Sequence, residues 1–137
     1  MNEARKDAVT TQDLTTATVQ EIQLELIRRH QYNYFDGEDV AADLMAHREW
    51  WEAVLMDTHG LGGSGPAHLF KLRDLAGNFW NVDTLYILAV NESSARRLAR
   101  FADRWEADEV CVYEAEETNR SLGGGIEQQR LVTMWWD

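Results

Sequence analysis

The stretch Thr84-Leu85-Tyr86-Ile87-Leu88-Ala89-Val90 carries no charge and lies between Asp83 and Asn91. Its β-branched and aromatic content, its length and its polar boundaries predict a buried strand. Downstream, Asn91 or Ser93 is placed to cap a helix over residues 92–105. Its inner face would be Ala95, Leu98, Phe101, Ala102 and Trp105 at helical spacing. Val110 to Ala115 predicts the next strand, giving a strand–helix–strand unit over 84–90, 92–105 and 109–115 that the handedness rule makes right-handed. Leu131 to Trp136 predicts a further strand. The Asn119–Gln129 connection, with Gly123-Gly124-Gly125, makes 110–115 and 131–136 a C-terminal β-hairpin with a long tip.

Upstream, Thr18 and Glu21 have the spacing of a capping box, and Val19, Ile22, Leu26 and Ile27 follow at helical intervals, predicting a helix over 18–31. The turn chemistry of Tyr32-Asn33-Tyr34-Phe35-Asp36-Gly37 separates it from a second helix predicted over 38–58. Val40, Leu44, His47, Trp51, Val54 and Leu55 would be the stripe of that helix, and Gly60 its terminator. Residues 66–76 admit two readings. One is a strand entering a hairpin turn at Asp74-Leu75-Ala76-Gly77-Asn78; the other is a short helix started by Pro66 with Leu69, Leu72 and Ala76 on one side. Together these elements predict an α+β fold, in which an N-terminal αα-hairpin packs with a small mixed β-sheet containing one βαβ unit and the C-terminal hairpin. Residues 1–15 read as a flexible leader and 16–137 as a single domain, a size that buries one core without disulfides or metals.

The predicted strands are apolar on both sides. Trp135 and Trp136 are adjacent and so point to opposite faces, Leu131 and Thr133 accompany one of them, and Val132 and Met134 the other. A sheet with one wet face alternates apolar and polar residues, and these strands do not, so both faces require cover. Helix 92–105 is the natural cover for one face and the N-terminal hairpin for the other. Six tryptophans in 137 residues make exposed aromatic surface the alternative. Leaving two indoles in water forgoes roughly 2–3 kcal/mol each, and such patches mark interaction sites.

The formal net charge is −11 and is concentrated. Residues 36–57 carry Asp36, Glu38, Asp39, Asp43, Glu49, Glu52 and Asp57 against Arg48; residues 106–127 carry Glu106, Asp108, Glu109, Glu114, Glu116, Glu117 and Glu127 against Arg120. That field argues against nucleic acid and anionic membrane as partners and favours a basic one. The single cysteine allows neither an intrachain disulfide nor a cysteine-based metal cage. With the polar N-terminal stretch, it sets the cytoplasm as the expected compartment.

No catalytic constellation is legible, and no cofactor or metal is expected. Gly60-Leu61-Gly62-Gly63-Ser64-Gly65 matches the spacing of a dinucleotide-binding loop but follows a predicted helix, where that loop needs a preceding strand. Cys111, between Val110 and Val112, reads as a small buried hydrophobe. Two functional expectations lead, with an anion site at the amides of the glycine loop, Gly65 among them, as a third. The first is a non-catalytic acidic interaction protein, expected to be a homodimer, using Trp135 and Trp136. In it Arg96 and Arg100, from the basic stripe that also holds Arg97 and Arg104, are available for an acidic segment unless occupied in Glu92–Arg96 and Arg100–Asp103 pairs. The second is a small-molecule binder or enzyme with a cleft between the helical hairpin and the sheet. Asp43 and His47, which share a helix side with Asp39, are its polar groups, and Tyr34, Trp51 and Trp136 its walls.

Overall fold

The computed structural model describes residues 13–58, 69 and 71–137. The leader expected over 1–15 lies mostly outside them, as do the Gly60–Gly65 loop and Pro66. Helix α1 spans Val19–Arg29 and opens with the expected capping box. The Glu21 amide donates to Thr18 Oγ1 at 3.1 Å and the Thr18 amide to Glu21 Oε1 at 2.8 Å. Two short strands, β1 (Gln31–Tyr32) and β2 (Phe35–Asp36), then form a small antiparallel hairpin turned at Asn33, whose φ is 46°. Asn tolerates this left-handed conformation because its short side chain bonds locally. Asp36 caps helix α2, Gly37–Ala46, by accepting from the Glu38 amide.

Gly37 is where the two helices meet most closely. Its amide donates to His30 O at 2.9 Å, and a Cβ there would lie 1.9 Å from Ile27 O and 2.5 Å from His30 O. Only glycine lets the first turn of α2 rest against the last carbonyls of α1. The N-terminal helix pair is therefore present, but α2 is half the expected length. Instead of a helix over 38–58, the chain ends α2 at Ala46, makes a 3-10 turn at Arg48–Trp50 and continues as strand β3, Trp51–Asp57. A bulge explains the misreading. Trp51 pairs with Ala89 and Ala53 with Leu88, so Glu52 is extra, and the inward residues Trp51, Val54 and Met56 fall at spacings of three and two. The first interval imitates a helix.

Helix α3, Lys71–Ala76, gives the helix for the described part of the ambiguous segment. Strand β4 (Thr84–Ala89) follows, then helix α4 (Glu92–Ala99), capped by Asn91, whose side chain accepts from the Ser94 amide. A break at Arg100 leads to α5, Phe101–Arg104, so the single helix predicted over 92–105 is two collinear-in-sequence pieces. Strand β5 is Glu109–Val112, helix α6 is Ala115–Leu122 and strand β6 is Arg130–Trp135. The long hairpin tip thus holds a helix that the glycine run at its end concealed.

The main sheet has the order β3-β4-β6-β5 with every neighbouring pair antiparallel. Because β4 and β5 each pair antiparallel with β6, they run parallel to one another. The βαβ unit is present, but β6 inserts between its two parallel strands, so the sheet expected to be mixed is antiparallel throughout. The C-terminal hairpin of β5 and β6 is as expected.

One sheet face is closed across β3, β4 and β6, while Val110 of the edge strand β5, on the same face, stays 45% exposed. Trp51, Val54 and Met56 of β3, Leu85, Ile87 and Ala89 of β4, and Val132 and Met134 of β6 join Trp136 in a core where none exceeds 4% exposure. Ile27, Phe35, Val40 and Leu44 from the N-terminal pair and Ala95, Leu98, Ala102 and Trp105 from α4 and α5 belong to that same core. The expectation that the two helical groups take opposite faces is therefore corrected: both lie on one. Their meeting is fixed by Asp43 of α2, which accepts from Trp105 Nε1 at 2.8 Å. Helix α1 also caps the free edge of β3. Gln20 donates to Val54 O at 2.9 Å and accepts from Val54 N at 3.0 Å, and Gln23 accepts from Met56 N at 3.2 Å. These amides substitute for a neighbouring strand and leave that edge unavailable for pairing.

Replacing Gly37 by Ala is expected to separate α1 from α2. The cost should be about 3 kcal/mol, the upper range for overpacking, since the clash is with backbone. Thermal unfolding followed by circular dichroism should show the melting temperature lowered by about 10 °C.

Candidate functional site

The residues expected to line a cleft do not converge. Trp51 and Trp136 are each 1% exposed in the core, while Tyr34 is 72% exposed at the hairpin turn. The space between helices and sheet is filled by their own side chains. Trp51 donates its indole N–H to Leu44 O at 2.8 Å, and Trp136 donates to Trp105 O at 2.8 Å. His47, at the end of α2, stacks on Trp50 with centroids 4.0 Å apart and planes 14° apart. Asp43 is held by Arg104, whose Nε lies 2.7 Å away, as well as by Trp105. Burial pushes the Asp43 carboxyl upward, but hydrogen bonds from Arg104 and Trp105 outweigh it and hold the group below the usual carboxylate range. Among the described residues, no three His, Cys, Asp or Glu side chains are grouped to hold a metal ion.

The residues expected at an interaction surface also divide. Trp136 shares parity with Val132 and Met134 and is core; Trp135 takes the opposite face, half-buried, with its indole N–H donating to Asp83 Oδ2 at 3.2 Å. The opposite orientation read from the sequence therefore holds, but a joint Trp135–Trp136 surface does not. Arg96 is engaged by Glu92 at 2.9 Å. Cys111 is exposed, not buried, because its parity puts it on the sheet face away from the helices, opposite Thr133.

That outer face is the main feature left by the fold. Cross-strand register places Leu55 beside Tyr86 and Thr133, and Ala53 beside Leu88 and Leu131. Val19 of α1 and Leu122 of α6 rise on either side, enclosing a groove of about 440 Å³ whose accessible surface is mostly apolar. Leu55 is 46% exposed, Leu122 51% and Val19 84%. Thr118 pins α6 against the end of this face: its fully buried hydroxyl accepts from Leu131 N at 3.0 Å. Tyr86 and Leu88 were legible as the second side of the 84–90 strand. Leu55 was hidden by assigning its segment to a helix.

Removing the Asp43 carboxylate with Asp43→Ala strands the Trp105 indole N–H and frees Arg104. The expected loss is about 1.5–3 kcal/mol at pH 7, as for hydrogen bonds to a charged group. Because the folded carboxyl is depressed, its contribution is complete above the unfolded value of about 3.9 and disappears as pH falls through the lower folded value. Urea unfolding of both proteins at pH 7 and near pH 3 should show the gap narrowing in acid.

No family model, curated protein or solved structure matches this chain.

Proposed function

We propose that this chain is a non-catalytic interaction protein that self-associates, burying the outer face of its sheet against a second copy. The observation that carries this reading is the apolar groove of Leu55, Tyr86 and Leu88, floored by the buried Leu131, on a sheet whose other face is covered by the helices across β3, β4 and β6. Apolar surface of this kind gains about 25 cal/mol per Å² when removed from water. An isologous contact of two such faces would double the buried area with one patch. The net charge of −11 supports the same reading, because it disfavours indiscriminate aggregation around the apolar face. A single cysteine suits a reducing compartment, and a cytoplasmic location is part of this reading.

A second reading is favoured by the concavity of the same groove, which suits an elongated apolar small molecule as well as a protein surface. It replaces the cleft expected around Asp43 and His47.

The test is solution mass by light scattering over a hundredfold concentration range, for the wild type and for Leu55→Glu with Leu122→Glu. Both side chains are about half exposed, so the fold should survive the exchange. The wild type is expected to be a dimer, and the double variant to weaken it by ~30-fold or more, the effect of losing at least one hot-spot contact. A wild type that stays monomeric throughout would overturn self-association and turn attention to apolar ligands.

A further inference from the structure

The second surface lies on the helical side of the molecule. Arg97, Arg100 and Arg104 recur at intervals of three and four, so their guanidinium groups share one side of α4 and α5. With Trp50 and Phe101 they line an open furrow of about 450 Å³. Both rings are half-buried and held from below: Trp50 by the stacked His47, and Phe101 by Trp105 at 5.0 Å and 14°. The Arg97 guanidinium carbon stands 5.7 Å from the centre of the Trp50 ring. Arg104 is neutralised by Asp43. Among the described residues, neither Arg97 nor Arg100 has a carboxylate within ion-pair distance, and both are exposed.

We propose that this furrow binds an acidic peptide segment of a partner protein, with carboxylates on Arg97 and Arg100 and an aromatic side chain on the Trp50–Phe101 floor. This goes beyond the self-association reading and does not depend on it. Guanidinium forks pair with carboxylates bidentately, and fixed ring faces accept a planar side chain at little entropic cost. Charge decides between anions. A chain of formal charge −11 repels a long polyanion, and Asp39 and Asp43 stand close enough to act on Arg104. A segment with a few carboxylates avoids most of that repulsion. The open form of the furrow, running along the helix, suits an extended segment better than an enclosed small molecule. The stripe expected from sequence included Arg96, but Glu92 occupies that side chain, and Trp50 could not be placed beside a helix it precedes by more than forty residues.

The probe is a fluorescein-labelled Glu-Glu-Tyr-Glu-Glu peptide, titrated with the full chain at low ionic strength and followed by anisotropy. Saturable binding is expected. It should weaken about tenfold in the Arg97→Ser, Arg100→Ser double variant, and to a similar extent when the peptide tyrosine is replaced by serine. Arg96→Ser, an equally exposed arginine, should leave it unchanged. Circular dichroism checks that each variant folds. The proposal is overturned by no saturation up to about 1 mM protein, by equal affinity in wild type and double variant, or by a thymidine oligonucleotide of matched charge binding more tightly than the peptide.

Discussion

The Trp136 indole is the contact through which the separate parts of this molecule are joined. Its ring meets Phe35 edge-on with centroids 4.7 Å apart, and its N–H donates to Trp105 O. Its backbone amide donates to Asp83 O at 3.1 Å, and its carbonyl accepts the Tyr32 hydroxyl at 3.0 Å. The end of β6, the end of α5, the β1–β2 hairpin and the entry to β4 are thereby held around one residue, by its ring and its backbone together. Each polar group of the residue is satisfied while the ring is 1% exposed, so burial carries no desolvation penalty that is left unpaired. The Tyr32 hydroxyl in this network is pushed well above its ordinary value by burial and by nearby Asp83, Asp108 and Asp137. It therefore remains a donor throughout the neutral range.

Gathering every large helix contact around that core has a geometric consequence. Asp43 ties α2 to α5, and Gly37 ties α2 to α1, so α1 follows to the same side of the sheet. What α1 has left for the sheet is its flank, and Gln20 and Gln23 use it to satisfy the β3 edge. Among the described residues, α6 crosses the outer face at one end and Val19 of α1 borders it. The apolar second side of β4 and β6, which called for cover, is left as the groove of Leu55, Tyr86, Leu88 and Leu131. The two proposed surfaces thus arise from one cause. The helices that close the inner face present Arg97 and Arg100 outward, and the face they abandon is apolar. Their chemistries are different enough, one apolar and one cationic, that the same occupant does not suit both.

Much of this was written locally. The Thr18–Glu21 capping box, the Asn91 cap, the Thr84–Ala89 strand and the β5–β6 hairpin depend on residues close together in the chain, and each formed as its spacing required. The opposite orientations of Trp135 and Trp136 followed from strand parity alone. Where local pattern misled, a specific irregularity was responsible. The bulge at Glu52 gave β3 a helix-like interval, and the glycines after Leu122 disguised the helix before them as loop. Cys111 looked buried between two valines, yet an edge strand with an open outer face exposes it.

The sequence by itself determined the element types over most of the chain, the apolar character of both sheet faces, and the uneven charge. Composition and charge need no distant contact, and most elements follow from capping and periodicity; where the local pattern was irregular, as at Glu52, pairing of β3 with β4 set the element instead. Tertiary structure alone decided which face is covered, where β6 inserts, and which arginines remain unpaired. Each of those outcomes turns on pairs far apart in sequence: Asp43 with Trp105, Gln20 with Val54, and Phe35 with Trp136. A contact of that kind leaves no periodic trace in the chain, because its cost and gain are settled only when the elements meet.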